Sequence, residues 1–254
     1  MGTPVIRPAG DQALLIEFEQ KVDPSISLQI MALERWLINH VQSGISDYVP
    51  GYSTLFIAYD PLVFLYDDLV QKVEQGLREV LQHPVPGQGK KLWVPVCYGE
   101  HGEEFGPDLR DVANHCGLTV QEVIELHTAP DYFVHFTGFL PNFPFLGGMS
   151  EKIATPRLPK PRQQVPGGSV AIAGEQTGFY PLSSPGGWRL IGKIPVLLYD
   201  LRRTDPFLFQ PGDHIRFYRI TLQEYRELEE LDRKEPFQFR VEAESVEVNG
   251  GVRQ

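Results

Sequence analysis

Residues 174–195 read GEQTGFYPLSSPGGWRLIGKIP, and the fold turns on what the GxxxxGK from Gly187 to Lys193 means. A phosphate-binding P-loop follows a buried strand, opens a helix, and places Ser or Thr after its lysine to hold magnesium. Here Ile194 and Pro195 follow Lys193, and Ser183-Ser184-Pro185 stand where the apolar strand should lead in. The interior, Trp188-Arg189-Leu190-Ile191, itself reads as a strand. The match is therefore accidental, and the stretch is read as a turn feeding a strand of a β-barrel.

The surroundings agree. Between Thr137 and Tyr218 short apolar runs (SVAIA, RLIG, VLLYD, IRFYRI) alternate with Pro and Gly clusters, the pattern of a β-barrel or sandwich. Upstream, a helix is expected over Asp108–Cys116. Thr119 and Glu122 form a capping box that opens a second helix ending at His127, and Tyr132–Phe136 reads as a strand. An acidic helix over Leu222–Lys234 and a strand over Phe237–Val246 close the chain.

The first part has a different rhythm. Ala13–Glu19 is a strand, and Asp23 or Ser25 caps a helix that sets Ile26, Ile30, Leu33 and Leu37 on one face and ends near Gly44. Strands over Asp47–Pro50 and Ser53–Tyr59 flank a Pro50-Gly51 turn. A second helix then carries Leu69, Val73, Leu77 and Val80, with Gly76 a mild penalty inside it. With Lys91–Val96 as a closing strand this is a split βαβ, or ferredoxin-like, order. The segment HPVPGQGK, His83–Lys90, marks the boundary. The expectation is a ferredoxin-like α+β domain over 1–90 and a mainly-β barrel over 91–254.

A net charge of -10 spread through mixed-sign segments argues against nucleic-acid or anionic-membrane binding, so an anionic ligand must meet a local basic patch. The N-terminus has neither a secretory pattern nor a myristoylation motif, since Ile6 replaces the required Ser or Thr, and no apolar run is long enough to span a bilayer. The reading is cytoplasmic. Cys97 and Cys116 form no CxxC pair and fit a reducing compartment as buried small side chains.

Four chemistries bear on these residues. Cys97, His101, His115 and Cys116 lack the paired spacing of a zinc site, so no metal is expected in this chain. No GxSxG is present for a serine hydrolase. His127 and His135 have the right intrinsic pKa for proton transfer, although His127 at a helix end is equally suited to a structural role. The segment EKIATPRLPKPRQQ, Glu151–Gln164, carries Lys152, Arg157, Lys160 and Arg162 on a proline-stiffened chain, which suits carboxylate or phosphate; the alternative is a solvated loop.

The run TGFLPNFPFLGGMSEKIATPRLPKPRQQVPGGSVAIAGEQTGFYPLSSPGGWRLIGK, Thr137–Lys193, closely resembles the KipI/PxpB family, whose members are B-type subunits of 5-oxoprolinase and are also called allophanate hydrolase subunit 1. VPVCYG, FGPDL, HCGLTVQEVIELH and PGDHIRFYRIT extend the likeness. Two departures from the family pattern are visible. Asn142 stands where a glycine is usual, and Lys193-Ile194 where Arg-Thr is usual.

The resemblance implies a cyclophilin-like barrel behind the ferredoxin-like domain, and a subunit inactive alone. Its partners would be a homologous barrel subunit (PxpC or KipA type) and a LamB/YcsF-type subunit (PxpA type), which together open 5-oxoproline to glutamate with ATP and magnesium. It also implies rivals: a KipI-like inhibitor of a histidine kinase, or a biotin-dependent carboxyltransferase subunit of the urea carboxylase kind. On this basis Arg157, Arg162, Gly174, Gln176, Thr177 and Gly178 are expected to bind substrate or phosphate. His127 or His135 would move a proton, and Ser184, Gly186, Gly187 and Trp188 would form a wall facing the partner subunit.

Overall fold

A computed structural model of the chain describes residues 3–41, 43–82 and 89–243. The described residues fall into two compact units, 3–82 and 89–243.

The first unit runs β1 (Val5–Pro8), β2 (Ala13–Glu17), α1 (Pro24–His40), β3 (Ile45–Pro50), β4 (Thr54–Tyr59) and α2 (Tyr66–Gln82). Asp23 caps α1 by accepting the Ser25 N–H, which satisfies one of the free donors of the first turn. Ile26, Ile30, Leu33 and Leu37 of α1 and Leu69, Val73, Leu77 and Val80 of α2 are buried together over the sheet, as their spacing predicts. Burial of each large apolar side chain contributes about 1.5–3 kcal/mol. Gly76 is explained by the approach of the helices. A Cβ there would fall 2.7 Å from the Trp36 ring.

One strand differs from expectation. The sheet order is β1-β2-β4-β3, all antiparallel, so the edge beside β2 belongs to β1 (Val5 opposite Glu17). The segment expected to close this sheet is β5 (Lys90–Tyr98), and it lies in the second unit. There its Lys91–Val96 pair in parallel with His214–Arg219, and Gly192 and Lys193 pair with Tyr98 and Cys97. Local sequence marks a strand, but the partner is chosen by burial: Leu92, Val94, Val96 and Tyr98 point into a core that only the second unit supplies.

The second unit continues with α3 (Leu109–Cys116), α4 (Val120–Thr128), β6 (Tyr132–Thr137), β7 (Pro144–Gly147), β8 (Arg162–Val165), β9 (Ser169–Ala173), β10 (Gln176–Phe179), β11 (Ser184–Gly186), β12 (Arg189–Lys193), β13 (His214–Arg219), α5 (Leu222–Lys234) and β14 (Arg240–Ala243). The strand path is β10-β9-β12-β5-β13-β6-β7, with β14 also on β5. Its two ends, β10 and β7, lie against each other, so the sheet is nearly closed and barrel-like. β8 and β11 form a separate two-stranded ribbon beside it. The α4 capping box is complete, with Thr119 and Glu122 each serving the other's backbone. The expected terminal strand is present as β14; residues 244–246 of it, like 83–88 of the boundary segment, lie outside the described residues.

Strand β12 decides the meaning of the GxxxxGK. Gly187 leads into an extended strand, Arg189–Lys193, paired on both edges, and no helix begins at Lys193. Lys193 instead sets its ammonium 6.0 Å from the centre of the Tyr225 ring.

Candidate functional site

On the barrel unit a pocket of about 230 Å³ opens between the loop before β7 and the ribbon β8–β11. Trp188 is its floor. Phe143 and Tyr180 stand almost perpendicular to one another, 5.6 Å apart, and each is edge-on to Trp188. Such T-shaped packing sets ring edges against ring faces and makes a rigid apolar wall. Phe145 and Phe139 complete the sides, and Pro185, Gly186 and Gly187 form the rim.

Glycine is dictated at Gly186, and a second glycine packs closely nearby. A Cβ on Gly186 would collide with the Tyr180 hydroxyl, and one on Gly178 would come within 3.3 Å of the back of the Trp188 ring. The proline-stiffened segment is fastened alongside: Leu158 N–H donates to Gly187 O at 2.7 Å, and Arg189 Nε donates to Pro156 O at 3.3 Å. Arg157, between these anchors, is exposed and lays its guanidinium 5.9 Å from the centre of the Trp188 ring. A ring face attracts a cation through its quadrupole, and an exposed guanidinium keeps N–H donors that can meet a carboxylate.

Charge is distributed unequally. Arg162 donates to Asp108 Oδ1 at 2.8 Å, and the second oxygen of the buried Asp108 accepts the Leu190 N–H at 2.7 Å, so both carboxylate oxygens are engaged inside the fold. Arg189 reaches Asp111 at 3.4 Å. Among the described residues, Arg157 has no carboxylate within ion-pair distance, and it is the one cation lining the pocket. Burial pushes the Tyr180 phenol upward in pKa, opposed by a backbone hydrogen bond with Trp188 and by Arg157 and Arg162; it stays protonated at neutral pH.

The expected residues thus separate. Arg157, Gly186, Gly187 and Trp188 come together at the pocket, with Gly178 behind it and Arg162 beside it as a brace. Gly174 sits at the β9–β10 turn with φ +60°, and its N–H donates to Thr155 O, so it anchors the proline-rich segment and has no donor left for an anion. Gln176 starts β10 half-buried, and the Ser184 hydroxyl donates to Pro185 O.

The two histidines lie elsewhere. His127 is fully buried in the barrel core, stacked on Phe217 at 4.9 Å. The hydrogen-bond pattern fixes its tautomer: Thr177 Oγ1 donates to Ala171 O, His127 Nε2–H donates to Thr177 Oγ1, and Tyr98 O–H donates to His127 Nδ1, the last two at 2.8 Å. Burial drives its pKa down to about 3, so it remains neutral and has no route to a ligand. Thr177 is consumed by the same chain of hydrogen bonds. His135 is buried against Gly147, where a Cβ would collide with its ring, and packs edge-on to Phe133. Cys97 is buried too, and its thiol is pushed up to about 11.

Phe139, Phe143, Phe145, Tyr180 and Asp108 are not singled out by the sequence. Three phenylalanines within Phe139–Phe145 are the available signal, but core and pocket aromatics look alike in one dimension. Asn142 explains its own departure from the family glycine. It holds φ +62°, a left-handed conformation that Asn tolerates, while its side chain donates to Leu198 O and accepts from Phe209 N–H.

Residues 4–209 match the family model described as "Carboxyltransferase domain, subdomain C and D". A Bacillus subtilis protein, named as the B-type subunit of 5-oxoprolinase, is 38% identical over 236 residues, covering 89% of this chain and 96% of that protein. A putative urea carboxylase of Emericella nidulans is more distant, 25% identical over 86% of this chain and 20% of its own length. A crystal structure of TTHA0988 superimposes with a TM-score of 0.70 at 36% identity, covering 83% of this chain but 40% of that one, so this chain spans less than half the length of that solved protein. With the family match running over most of its length, and near-complete coverage of the Bacillus relative, this chain belongs to the carboxyltransferase-domain family of subdomains C and D, among the proteins named as B-type subunits of 5-oxoprolinase.

Proposed function

We propose that this chain is the B-type subunit of an ATP-dependent 5-oxoprolinase and that the Arg157–Trp188 pocket receives the 5-oxoproline ring. The observation that carries this reading is the arrangement of Arg157: a guanidinium without a carboxylate partner among the described residues, laid on Trp188 at the mouth of a small aromatic pocket. The substrate carboxylate meets the outward N–H donors of Arg157, and the ring lies against Trp188 and Phe143. The near whole-length kinship with the Bacillus subtilis 5-oxoprolinase protein supports the choice of substrate.

An unstrained lactam is a poor electrophile, so ring opening needs its carbonyl oxygen activated. We assign that activation, with ATP and magnesium, to the partner subunits: a homologous barrel subunit and a LamB/YcsF-type subunit. The pocket does not suit a triphosphate, since one cation and aromatic walls line it and no acidic residue among its lining offers itself to magnesium. What this chain contributes is position. Arg157 and Trp188 fix the ring, Phe143 and Tyr180 keep water from its faces, and the neighbouring subunit approaches over Gly186 and Gly187. Alone, the chain would bind without turnover. We read the two units as ferredoxin-like and cyclophilin-like, divided near residue 90, and the protein as cytoplasmic; no helix among the described residues is long and apolar enough to cross a membrane.

The direct test mixes the purified chain with both partner types, ATP and 5-oxoproline, and follows glutamate release. The reading expects glutamate only when all three proteins are present. Arg157→Gln in the same mixture should lower kcat/KM by about ten- to a hundredfold, the loss of one charge-assisted contact. No glutamate from the complete parent mixture would sink the assignment.

A further inference from the structure

We infer that Phe139 is a specificity-determining residue, the roof of the pocket, and that the pocket is selective for a flat ring bearing a single anionic group. This rests on the reading of the pocket as the substrate site.

Phe139 is doubly unusual. The residue is 66% exposed, and its backbone holds φ +65°, a region that non-glycine residues with bulky side chains rarely occupy. Strain of this kind persists only when the surroundings impose it, and here they do. Gly138 N–H donates to Phe143 O, Phe143 N–H donates to Leu140 O, and Asn142 ties the loop to Leu198 and Phe209 from the far side. The brace turns Phe139 outward at the pocket, edge-on to Phe143 at 5.5 Å, with most of the residue left exposed. An aromatic side chain held against backbone preference, without burial in return, is placed for something that binds beneath it.

The rest of the pocket defines that ligand. Its volume, about 230 Å³, is below the roughly 300–1,000 Å³ of sites for drug-sized molecules, which leaves room for one small ring. The aromatic walls favour flat faces. Arg157 is the one lining cation; Arg162 and Arg189 lie outside the lining and are engaged by Asp108 and Asp111. A second charge on the ligand would face aromatic carbon with no partner, which is strongly unfavourable. The cyclic monocarboxylate 5-oxoproline satisfies every one of these limits. Glutamate, with two carboxylates and an ammonium, does not, so ring opening converts a fitting ligand into one the pocket rejects.

The test is a calorimetric titration of 5-oxoproline and of glutamate into the full chain, alone and with its barrel partner, for the parent and for Phe139→Gly, Phe139→Asn and Phe139→Tyr. Gly and Asn both accept the left-handed backbone, so thermal midpoints should not fall. The expected result is at least tenfold preference of the parent for 5-oxoproline. Affinity should drop about tenfold in the Gly and Asn variants and be retained in Tyr. Unchanged 5-oxoproline affinity in Phe139→Gly and Phe139→Asn would overturn the role of Phe139 while leaving the site reading intact. Equal parent affinity for glutamate would overturn the single-anion selectivity. Absence of any 5-oxoproline binding to the parent, with or without its partner, would remove the site reading and this inference with it.

Discussion

His127 stacks on Phe217 and Arg157 lies over Trp188, yet the surroundings of the two side chains are opposite in kind. Both ring nitrogens of His127 are engaged, by Tyr98 and Thr177, and desolvation holds it neutral inside the barrel. Arg157 is exposed, has no carboxylate partner among the described residues, and stands beside a braced, strained, solvent-facing Phe139. A fully satisfied polar group in a core specifies one packing and does little else. An aromatic pocket with unmet donors at its mouth is what a ligand completes. The same contrast repeats five residues along the chain, where Arg162 is locked to buried Asp108 and serves the fold.

This contrast can be broken most severely at His127. Replacing it with Leu leaves the Tyr98 hydroxyl buried without its partner and disturbs Thr177, and we expect about 3–4 kcal/mol of destabilisation in denaturant titrations. Retention of parent stability would show that the network is not the structural element it is taken for. Asp108→Ala comes next. It strands Arg162 and the Leu190 N–H, and should lower stability by about 3 kcal/mol, at the lower end for a broken buried pair because Arg162 is partly solvated.

Acid sharpens the comparison in a graded way. His127 titrates near 6.5 in the unfolded chain and near 3 in the folded one. Below pH 6.5 the unfolded state therefore gains a proton that the folded state refuses. Its contribution is complete above that pH and is lost at about 1.4 kcal/mol per pH unit as pH falls toward 3. Stability measured from pH 7 to 4 should show this slope, and a His127→Asn protein should lack it. The smallest change in stability belongs to Arg157→Gln, within about 0.5 kcal/mol as for other exposed substitutions. Its effect should appear in ligand affinity and turnover alone. An Arg157 variant that loses stability but keeps activity would exchange the roles of the two sites.

Much of the fold is legible where local chemistry is sufficient. The Asp23 cap, the Thr119/Glu122 box and the i, i+4 apolar faces of α1 and α2 identify their helices without reference to distant residues. Helix α5 occupies the expected Leu222–Lys234. Strand β1 escapes a reading of the sequence because VIRP is short, mostly exposed and ends in proline, so it lacks the alternation that marks a half-buried strand. The ribbon β8–β11 hides among prolines and glycines for a similar reason. At the site, the basic proline-rich segment and the glycines before Trp188 point to Arg157, Gly186, Gly187 and Trp188. His127 misleads because its place at a helix end favours a charged, exposed imidazole, whereas Tyr98, Thr177 and Phe217 arrive from strands far along the chain.

The sequence alone determined the main helices and several of the strands, that the GxxxxGK is no P-loop, and where cations gather in an acidic chain. These follow from capping, periodicity and residue chemistry acting over a few positions. Tertiary structure decided which sheet received β5, that His127 was buried and satisfied, and which arginine of Arg157 and Arg162 was paired with a carboxylate. Each of these depends on what stands opposite: the core that takes Leu92 to Tyr98, the partners that neutralise His127, and Asp108, 54 positions before the arginine it holds. Partnership across the fold removes a side chain from chemistry, and among the described residues Arg157 has no carboxylate partner of that kind.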